Sequence, residues 1–370
     1  MRKLAIIHFQ PVELYPPVQN LLNYLGKAEN NYLIEVFTTA AVQHISKFQC
    51  ETQRVKIRRL GKSGIKNPLL RYLSYFNFFF FSLIYLIKIK PQRILYFETL
   101  SSYPVYLYKQ YFNTATEILI HYHEYSSPKE ITEGMKLNKF FHEGERHLYP
   151  HALWISHTND YRMKLFTDDE ASTVIGNPHI LPNYPPKNWQ VSTVRSAGTP
   201  LKIILAGVVG LETMYIREFS EWVLHQEGNV IWDIYTFVAD NKTKFFLDSL
   251  NTRFINLKNA VEYKDLPVVL RNYDIGVILY KGHIPNYIYN APNKLFEYYV
   301  NGLDVWFPEQ MIGAHRFITA NSFPKVIPIK FENISAISLK TLTDKSNLKF
   351  LIHDYSCESV LNKLNETLLN

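Results

Sequence analysis

The feature that most limits the fold of this chain is a repeated alternation of short apolar runs with longer helical stretches. In the first half, strand-like runs at residues 3–8, 32–37 and 93–97 are separated by segments with helical patterns. The alternation returns in the second half, where strands are expected at residues 202–206 and 230–237. Strands that alternate with helices need crossover connections, and such connections produce parallel, doubly wound sheets. The sequence therefore predicts an α/β protein with two Rossmann-like domains.

A stretch rich in helix and strand breakers separates the two halves. Prolines and small polar residues recur between residues 180 and 200, which is typical of a connecting segment, and we assign the linker to residues 186–200. The prediction is an N-terminal domain at residues 1–185 and a C-terminal domain at residues 201–350. A length of 370 residues is sufficient for two domains with sizeable cores.

Cysteine usage and the missing nucleotide motifs exclude several classes of protein. Cys50 and Cys357 lie far apart and follow no pairing pattern, so a reducing, cytoplasmic compartment is expected instead of a disulfide framework. Neither half contains a Walker loop or the Gly-x-Gly-x-x-Gly of a dehydrogenase. His121 and His123 share one face of a predicted strand but have no third ligand, so no metal is expected.

Basic residues are concentrated in one segment of a chain whose formal net charge is +7. No acidic residue occurs between Glu51 and Glu98, whereas ten basic residues lie from Arg54 to Arg93. Such a segment is expected to face an anionic partner. Nucleic acid explains it poorly, because the aromatic residues form one run instead of alternating with the basic ones. An anionic membrane surface is therefore a candidate partner of Arg54–Arg93.

The most apolar stretch of the chain lies within this basic segment. The predicted helix at residues 69–89 is too short and too interrupted to span a bilayer, for which about 20 apolar residues are needed. Two alternatives stay open. The helix is either a crossover helix buried in the first domain, or an interfacial helix whose edge and basic flanks contact anionic lipid. Burial is the favoured alternative, and it is compatible with lipid contact along an exposed edge.

The segment Asn290–Pro308 predicts a binding site. Its pattern indicates a helix start, a short helix, a stop at Gly302 and a buried strand. Asn293 and Glu297 lie four residues apart and project from one face of that helix. The free N–H groups near Asn293 and Lys294 favour a phosphate, and a carboxylate one turn later can accept hydrogen bonds from a ribose diol. From spacing alone, the alternative is an ordinary amphipathic helix with a solvated Glu297.

Pro292-Asn-Lys-Leu-Phe-Glu-Tyr298, followed by Gly302, resembles the nucleotide-sugar motif of GT-B glycosyltransferases, in particular retaining glycosyltransferase family 4. Asp274–Tyr280 resembles the strand before that motif, Ile180–Asn183 the hinge between domains, and His121–Glu124 a strand end of the first domain. These segments occur in the family's order and cover most of the chain. The resemblance implies the GT-B fold, in which two doubly wound Rossmann-like domains have a cleft between them.

The resemblance also implies roles in the second domain. Glu297 would hold the donor ribose, and Asn293, Lys294 and Leu295 at the helix start would hold the diphosphate. The family needs no metal, so no cofactor is expected beside the nucleotide-sugar substrate. In this architecture the last segment, residues 351–370, forms a helix that packs back on the first domain.

In the first domain, the resemblance implies that His123 contacts the sugar or the acceptor and that Glu124 orients it. A structural His–Glu pair is the alternative that the residues themselves leave open. The loop after the first strand carries His8 and Glu13, which we predict to contact the acceptor. A proline-rich loop that only turns the chain would explain the same residues.

Two departures from the family pattern bear on activity. Family members commonly carry two glutamates separated by seven residues, and Tyr289 occupies the position of the first. They also tend to place an Arg and a Lys after the first strand of the second domain, and Gly207–Tyr215 contains neither. The negative charge of the leaving group must nevertheless be stabilised. Lys281, His283 and Lys294 are predicted to substitute for the missing cations.

These features predict a cytoplasmic glycosyltransferase, peripheral at the membrane face. It would transfer a sugar from a nucleotide diphosphate to a growing glycan or a lipid-linked saccharide, with retention of configuration. A catalytically silent GT-B subunit that binds a glycan or a partner protein would instead explain Tyr289 and the missing Arg and Lys. A nucleotide-sugar epimerase shares the fold but needs paired catalytic acids, which the sequence does not reveal.

Overall fold

The computed structural model describes residues 2–29, 31–41, 46–173, 176–193, 198–237, 240–319, 321–343 and 348–369. The chain divides into two compact units. The first consists of Met1–Asn183 together with Cys357–Asn370, and the second of Tyr184–Ser356. Each unit has its own parallel sheet and its own hydrophobic core.

The first unit is built on a seven-stranded sheet in the order β3-β2-β1-β4-β5-β6-β7. Its strands are β1 (Arg2–His8), β2 (Tyr32–Ala41), β3 (Val55–Ser63), β4 (Arg93–Phe97), β5 (Glu117–Tyr122), β6 (Ala152–His157) and β7 (Pro178–Ile180). All neighbouring strands run parallel. The helices of this unit are α1 (Pro16–Lys27), α2 (Pro68–Ile89), α3 (Ser102–Tyr111), α4 (Pro128–Glu133), α5 (Lys136–Glu145), α6 (Asp160–Asp169) and the C-terminal α13 (Cys357–Leu369).

Local sequence explains several of these elements. β4 is buried along its whole length, as expected for a central strand of a parallel sheet covered on both faces. α1 begins at Pro16 and Pro17, residues that suit the first turn of a helix. Its Leu21 and Leu25 belong to the same core cluster as Leu361 of α13. The C-terminal helix therefore completes the core of the first unit.

The second unit is built on a six-stranded parallel sheet in the order β10-β9-β8-β11-β12-β14. Its strands are β8 (Leu201–Ala206), β9 (Val230–Thr236), β10 (Ile255–Asn259), β11 (Ile275–Val277), β12 (Asp304–Pro308) and β14 (Val326–Ile329), and β13 (Ser322–Phe323) pairs separately with β15 (Lys349–Phe350). Its helices are α7 (Ile216–His225), α8 (Asn241–Ser249), α9 (Leu266–Leu270), α10 (Pro285–Ile288), α11 (Asn293–Val300) and α12 (Leu339–Thr343).

A glycine lets α11 pack directly on this sheet. Tyr298 of α11 is fully buried and its ring lies against Gly276 of β11, where a Cβ would overlap the ring. The Tyr298 hydroxyl also accepts a hydrogen bond from the Ala206 N–H at 2.9 Å. Two neighbouring strands therefore hold α11 in place, and its first turn lies near the carboxyl end of β8.

The predicted linker at residues 186–200 lies within the second unit. Trp189 is buried there, with its ring centroid 4.7 Å from that of Tyr263. The Val191 N–H donates to the Val300 carbonyl at 2.9 Å. The described residues 186–193 therefore pack on the second unit, because Trp189 buries its ring in the core of that unit. The predicted domain bounds stay a prediction.

α2 is buried on one face only. Phe78 and Leu86 lie in the core of the first unit, whereas Leu69 and Phe76 are exposed. Within the described part of the chain, α2 is the one helix that is long and apolar enough to cross a membrane by length and composition, so the expectation that it is too short and interrupted was wrong. Only 28% of its most apolar window is buried. The favoured expectation of burial therefore holds for one face of α2 and fails for the other.

Each sheet changes its winding direction beside its first strand, between β1 and β4 and between β8 and β11. At such a switch point the loops leaving the carboxyl ends of the strands diverge, and the crevice between them is where open α/β sheets bind ligands. Both strand orders are those of Rossmann-like domains, so the predicted α/β fold class is confirmed. Polar residues that the sequence analysis named as site candidates follow strands at both switch points: His8 at the end of β1, and Lys281 after β11.

Candidate active site

Three segments meet at the switch point of the first unit. His8 ends β1, Glu98 follows β4, and His123 follows β5. The ring centroids of His8 and His123 lie 6.0 Å apart, and Phe97 stacks on His123 at 5.1 Å. Both histidines are buried. The structure therefore brings together His8 and His123, which the sequence places over a hundred residues apart.

The imidazole of His123 is neutral near pH 7. Burial lowers the pKa of His123 to about 4, while a hydrogen bond with Asn183 raises it and the charge of Arg162 lowers it further. Nδ1 lies 3.3 Å from Oδ1 of Asn183, so Nδ1–H is the donor and the Nε2 lone pair is left as an acceptor. Nε2 is buried and has no hydrogen-bond partner in the described part of the chain. This nitrogen is the acceptor that His123 has left for a ligand, but it is enclosed in the ligand-free protein. His123 lines neither of the two cavities beside the site, so a sugar hydroxyl reaches Nε2 only when the surrounding side chains move.

Glu98 is a residue of this site that sequence reasoning missed. Its φ of 61° and ψ of 152° form a backbone conformation that costs a side-chain-bearing residue about 1–3 kcal/mol. Its Oε1 accepts the N–H groups of His123 at 2.7 Å and Glu124 at 3.4 Å. Burial, and next the charge of Glu124, raise the pKa of Glu98 to about 8. The signal available in the sequence was its position directly after a buried strand.

Replacing Glu98 with Ala is expected to lower the free energy of unfolding by about 1–3 kcal/mol, because two N–H groups lose their acceptor. Glu98→Gln keeps an oxygen in place and is neutral, as the protonated carboxyl largely is at pH 7, so its stability should stay close to that of the wild type. Urea denaturation at pH 7 measures both variants. Equal losses of stability in the two would show that Glu98 does not hold these amides.

Two cavities adjoin this site. They measure about 350 Å³ and about 160 Å³, and Glu98, Thr99 and Glu124 line both. His8 lines the smaller cavity, and His157 lines the larger one. Glu124 is exposed, so its carboxylate is accessible to a ligand. The expected orientation of His123 by Glu124 differs from the structure, in which Asn183 is hydrogen-bonded to the His123 ring. The first unit thus offers polar, concave space beside His8 and Glu124.

Glu13 is placed differently from the prediction. Its carboxylate forms an ion pair with Arg59 and accepts the N–H of Phe48 at 3.0 Å. The side chain is only 4% exposed, and Glu13 is not among the residues that line either cavity. The structure therefore does not bring Glu13 to the acceptor region beside His8, because the buried carboxylate is taken up by a cation and an N–H group of the core.

In the second unit, Lys294 reaches the loop that follows β8. A Cβ on Gly207 would lie 2.8 Å from Cε and 2.9 Å from Nζ of Lys294, and the φ of Gly207 is +123°. Both facts favour glycine at position 207. The ammonium group donates to the Tyr280 hydroxyl at 3.1 Å. The N–H groups of Asn293 and Lys294 are in the first turn of α11, where a helix provides no backbone partner.

Glu297 lies one turn after Asn293 on α11. Its side chain is not solvated, because the residue is only 5% exposed. Burial raises the pKa of Glu297 to about 7, while the charge of Lys294 and a hydrogen bond with Tyr263 lower it. A carboxylate held in this way gains from a ligand that donates hydrogen bonds to it. The structure therefore excludes the solvated alternative for Glu297.

Other predicted donor residues contribute less to this arrangement. Lys281 Nζ lies 3.5 Å from Oε1 of Glu218, and the exposed His283 is hydrogen-bonded through Nδ1 to the Lys281 carbonyl at 2.9 Å. The Leu295 side chain is fully buried, and its N–H already donates to the Pro292 carbonyl at 3.0 Å. The amides open to a ligand are therefore those of Asn293 and Lys294, and Leu295 serves the core.

No protein-family model and no curated protein sequence matches this chain. Its fold does match solved structures. A sucrose-phosphate synthase from Thermosynechococcus elongatus superposes with a TM-score of 0.67 and 13% identity, over 100% of this chain and 95% of the other. HepE from Anabaena, solved with UDP and glucose, gives a TM-score of 0.66 and 10% identity over 100% and 99%. A UDP-GlcNAc 2-epimerase from Neisseria meningitidis, solved with UDP-GlcNAc, gives 0.57 and 13% over 100% of both chains.

The chain has the GT-B fold, as the sequence predicted. Proteins that share this fold with it include glycosyltransferases and UDP-GlcNAc 2-epimerases. At 10–13% sequence identity, the similarity to these structures shows the fold and does not identify the substrate of this chain. Membership of glycosyltransferase family 4 stays a prediction.

Proposed function

We propose that this protein is a glycosyltransferase that moves a sugar from a nucleotide diphosphate to a hydroxyl of a glycan or a lipid-linked saccharide, with retention of configuration. The observation that carries the proposal is the contact between Lys294 and Gly207. It gathers an ammonium group, the first-turn amides of α11 and the side-chain-free backbone of Gly207 at the carboxyl edge of the second sheet. Groups of this kind bind and stabilise a diphosphate, and the proposal assigns them this role without a metal.

In the second unit, the diphosphate of the donor would bind at the start of α11. The N–H groups of Asn293 and Lys294 and the Lys294 ammonium would donate to its oxygens, and Glu297 would accept the ribose hydroxyls. During transfer, the bond between the anomeric carbon and the diphosphate oxygen breaks, and that oxygen keeps the electron pair. Lys294 would stabilise the charge that develops on this leaving group.

In the first unit, His123 would meet a hydroxyl of the sugar or the acceptor. Its Nε2 lone pair would accept a hydrogen bond from the hydroxyl whose oxygen forms the new bond to the anomeric carbon, while the proton passes to solvent. Glu98 would act as a positioning residue, because it holds the amides of His123 and Glu124. His8 and Glu124 would line the acceptor site.

A nucleotide-sugar epimerase is the second candidate, and one observation favours it. Such an enzyme needs two catalytic acids, and Glu98 and Glu124 line the same two cavities. Their environments differ, since Glu124 is exposed while the raised pKa of Glu98 keeps that group largely protonated near neutral pH. Tyr289 at the position of the first motif Glu instead supports the silent-subunit alternative.

The same proposal includes a cytoplasmic location at a membrane face. Cys50 and Cys357 are both free thiols, which suits a reducing compartment. Within the basic segment Arg54–Arg93, the exposed Lys62, Lys66, Lys88 and Lys90 would attract the protein to anionic lipid, where a lipid-linked acceptor is found. The arginines contribute less than the sequence predicted, because Arg58, Arg59 and Arg93 pair with Glu35, Glu13 and Glu117.

Thermal melting with UDP, GDP, ADP and CMP tests the donor site. A ligand that binds only the folded protein, at 100 times its dissociation constant, adds about 2.7 kcal/mol of stability. One nucleoside diphosphate is expected to raise the melting temperature. Incubation with the corresponding nucleotide sugar then separates the candidates, since transfer or hydrolysis indicates a transferase and sugar isomerisation an epimerase. No shift and no turnover would favour the silent subunit.

A further inference from the structure

α2 carries a continuous apolar stripe on its exposed face. Its members follow one another at intervals of four, three, four and four residues, the spacing of one helix face. They are Leu69 (70% exposed), Leu73 (51%), Phe76 (56%), Phe80 (43%) and Ile84 (40%). The rings of Phe76 and Phe80 stack at 5.7 Å along the stripe. A stripe of this length covers about 22 Å at 1.5 Å per residue.

The first unit uses only the opposite face of α2. The buried residues of the helix are Ser74, Tyr75, Phe78, Ser82, Leu86 and Ile89. Phe78 is 1% exposed and Leu86 is 0% exposed, so the inner face of α2 is packed in the core of the first unit. A helix that spans a bilayer would have to give up this packing. Contact with lipid is therefore restricted to the outer stripe.

Positive charge brackets the stripe at both ends. Lys62 and Lys66 precede α2, Lys88 and Lys90 lie at its C-terminal end, and all four are exposed. No acidic residue occurs between Glu51 and Glu98. Cations on both sides of an apolar face match anionic lipid headgroups, which lie just above the acyl chains. A protein partner would more often surround an apolar core with polar residues of both signs.

A neighbouring helix widens the apolar surface. Phe79 of α2 contacts Tyr103 of α3 with ring centroids 5.5 Å apart, and Tyr103 contacts Phe140 of α5 at 4.8 Å. Phe140 is itself 49% exposed. Lys136 and Lys139 of the same helix are exposed beside it. The apolar surface therefore extends beyond one helix. On α5 its border also includes the exposed Glu143, so the purely basic border is confined to the two ends of α2.

We infer that the outer stripe of α2 docks the protein on an anionic bilayer, with the helix in the plane of the membrane and its apolar side chains inserted below the headgroups. The lysines at the two ends bind the headgroups, and Phe76 and Phe80 enter the acyl boundary. The inference deepens the membrane location of the proposed function by naming the helix face that binds lipid. Its failure is distinguishable from failure of the proposed sugar transfer, because docking needs no donor or acceptor.

Sedimentation with vesicles tests the inference on the full chain. The wild type is expected to bind vesicles of phosphatidylcholine with about 30% phosphatidylglycerol at low salt, more weakly at high salt, and poorly to phosphatidylcholine alone. The variant Phe76→Ser/Phe80→Ser should lose binding by roughly 10-fold or more, because it removes two large apolar side chains from the interface. The variant Lys62→Gln/Lys66→Gln/Lys88→Gln/Lys90→Gln should lose the preference for anionic vesicles.

Phe245→Ser is the matched control, since Phe245 on α8 is 76% exposed and far from this surface in sequence. It should bind vesicles as the wild type does. All substituted side chains are exposed, and melting curves verify that the variants fold. Failure of the wild type to sediment with anionic vesicles would overturn the inference. So would self-association that the Phe76→Ser/Phe80→Ser variant abolishes without any effect on vesicle binding, because a second copy would then cover the stripe.

Discussion

Replacing Glu297 with Gln is expected to stabilise the ligand-free protein by about 3 kcal/mol near pH 8 and at the same time to weaken nucleotide binding. Glu297 is 5% exposed, and its burial raises the pKa from the ordinary value of 4.5 to about 7. A shift of this size corresponds to about 3 kcal/mol lost when the carboxyl ionises inside the folded protein. Gln has nearly the same shape and does not ionise.

The pH dependence follows from the direction of this shift. The folded-state pKa of Glu297 lies above the unfolded one, so the folded protein binds the proton more tightly. The stability linked to that proton is complete below about pH 4.5 and is lost as the pH rises to about 7. Wild type and Glu297→Gln should therefore unfold at similar denaturant concentrations near pH 4 and differ most near pH 8.

Nucleotide binding should change in the opposite direction. The ionised carboxylate is the stronger acceptor for ribose hydroxyls, and losing a hydrogen bond to a charged group raises a dissociation constant roughly 10-fold to 100-fold. Glu221→Gln, on an exposed position of α7, is the control and should change neither quantity. A Glu297→Gln variant that is more stable yet binds nucleotide normally would remove Glu297 from the donor site. A variant that is less stable at pH 8 would contradict the burial argument itself.

Replacing Lys294 with Met is expected to weaken binding of a nucleoside diphosphate roughly 10-fold to 100-fold, while leaving binding of the nucleoside unchanged. Its Nζ lies beside Gly207, where a diphosphate can approach the backbone. Met keeps most of the apolar stem but removes the charge. Titration calorimetry with the two ligands measures the contribution of the phosphates directly, because the base and ribose contacts cancel in the comparison.

Gly207→Ala provides a second way to disturb the same contact. Its Cβ would lie 2.8 Å from Lys294 Cε, and a φ of +123° disfavours any residue with a side chain. The lysine should shift, so diphosphate binding should weaken even though the charge is retained. Lys264→Met is the control, because the Lys264 side chain is 75% exposed in the same unit. Equal loss of diphosphate and nucleoside binding in Lys294→Met would show that Lys294 supports the domain and does not hold phosphate.

The local sequence predicted the features that depend only on residues close in the chain, namely the strands, the helices and the spacing of side chains along one helix. The apolar runs of β1, β4 and β8 and the helices between them follow from periodicity, and alternation of the two gives parallel doubly wound sheets. The spacing of Asn293, Lys294 and Glu297 on α11 follows from helix geometry alone. The carboxyl ends of central strands were likewise identifiable, which is why His8 and His123 were correctly placed at one sheet edge.

Tertiary packing decided what no local pattern encodes. Glu13 forms an ion pair with Arg59, and Lys294 lies against Gly207. Glu98 has an unusual backbone conformation, and its carboxylate accepts hydrogen bonds from the amides that follow β5. Each of these contacts joins residues over twenty positions apart, whose distance depends on how sheets, helices and loops close around a core. The exposure of α2 has the same origin. The sequence of α2 is apolar almost all round. The core of the first unit covers only one face of the helix, and this packing decides which apolar residues stay exposed for a partner.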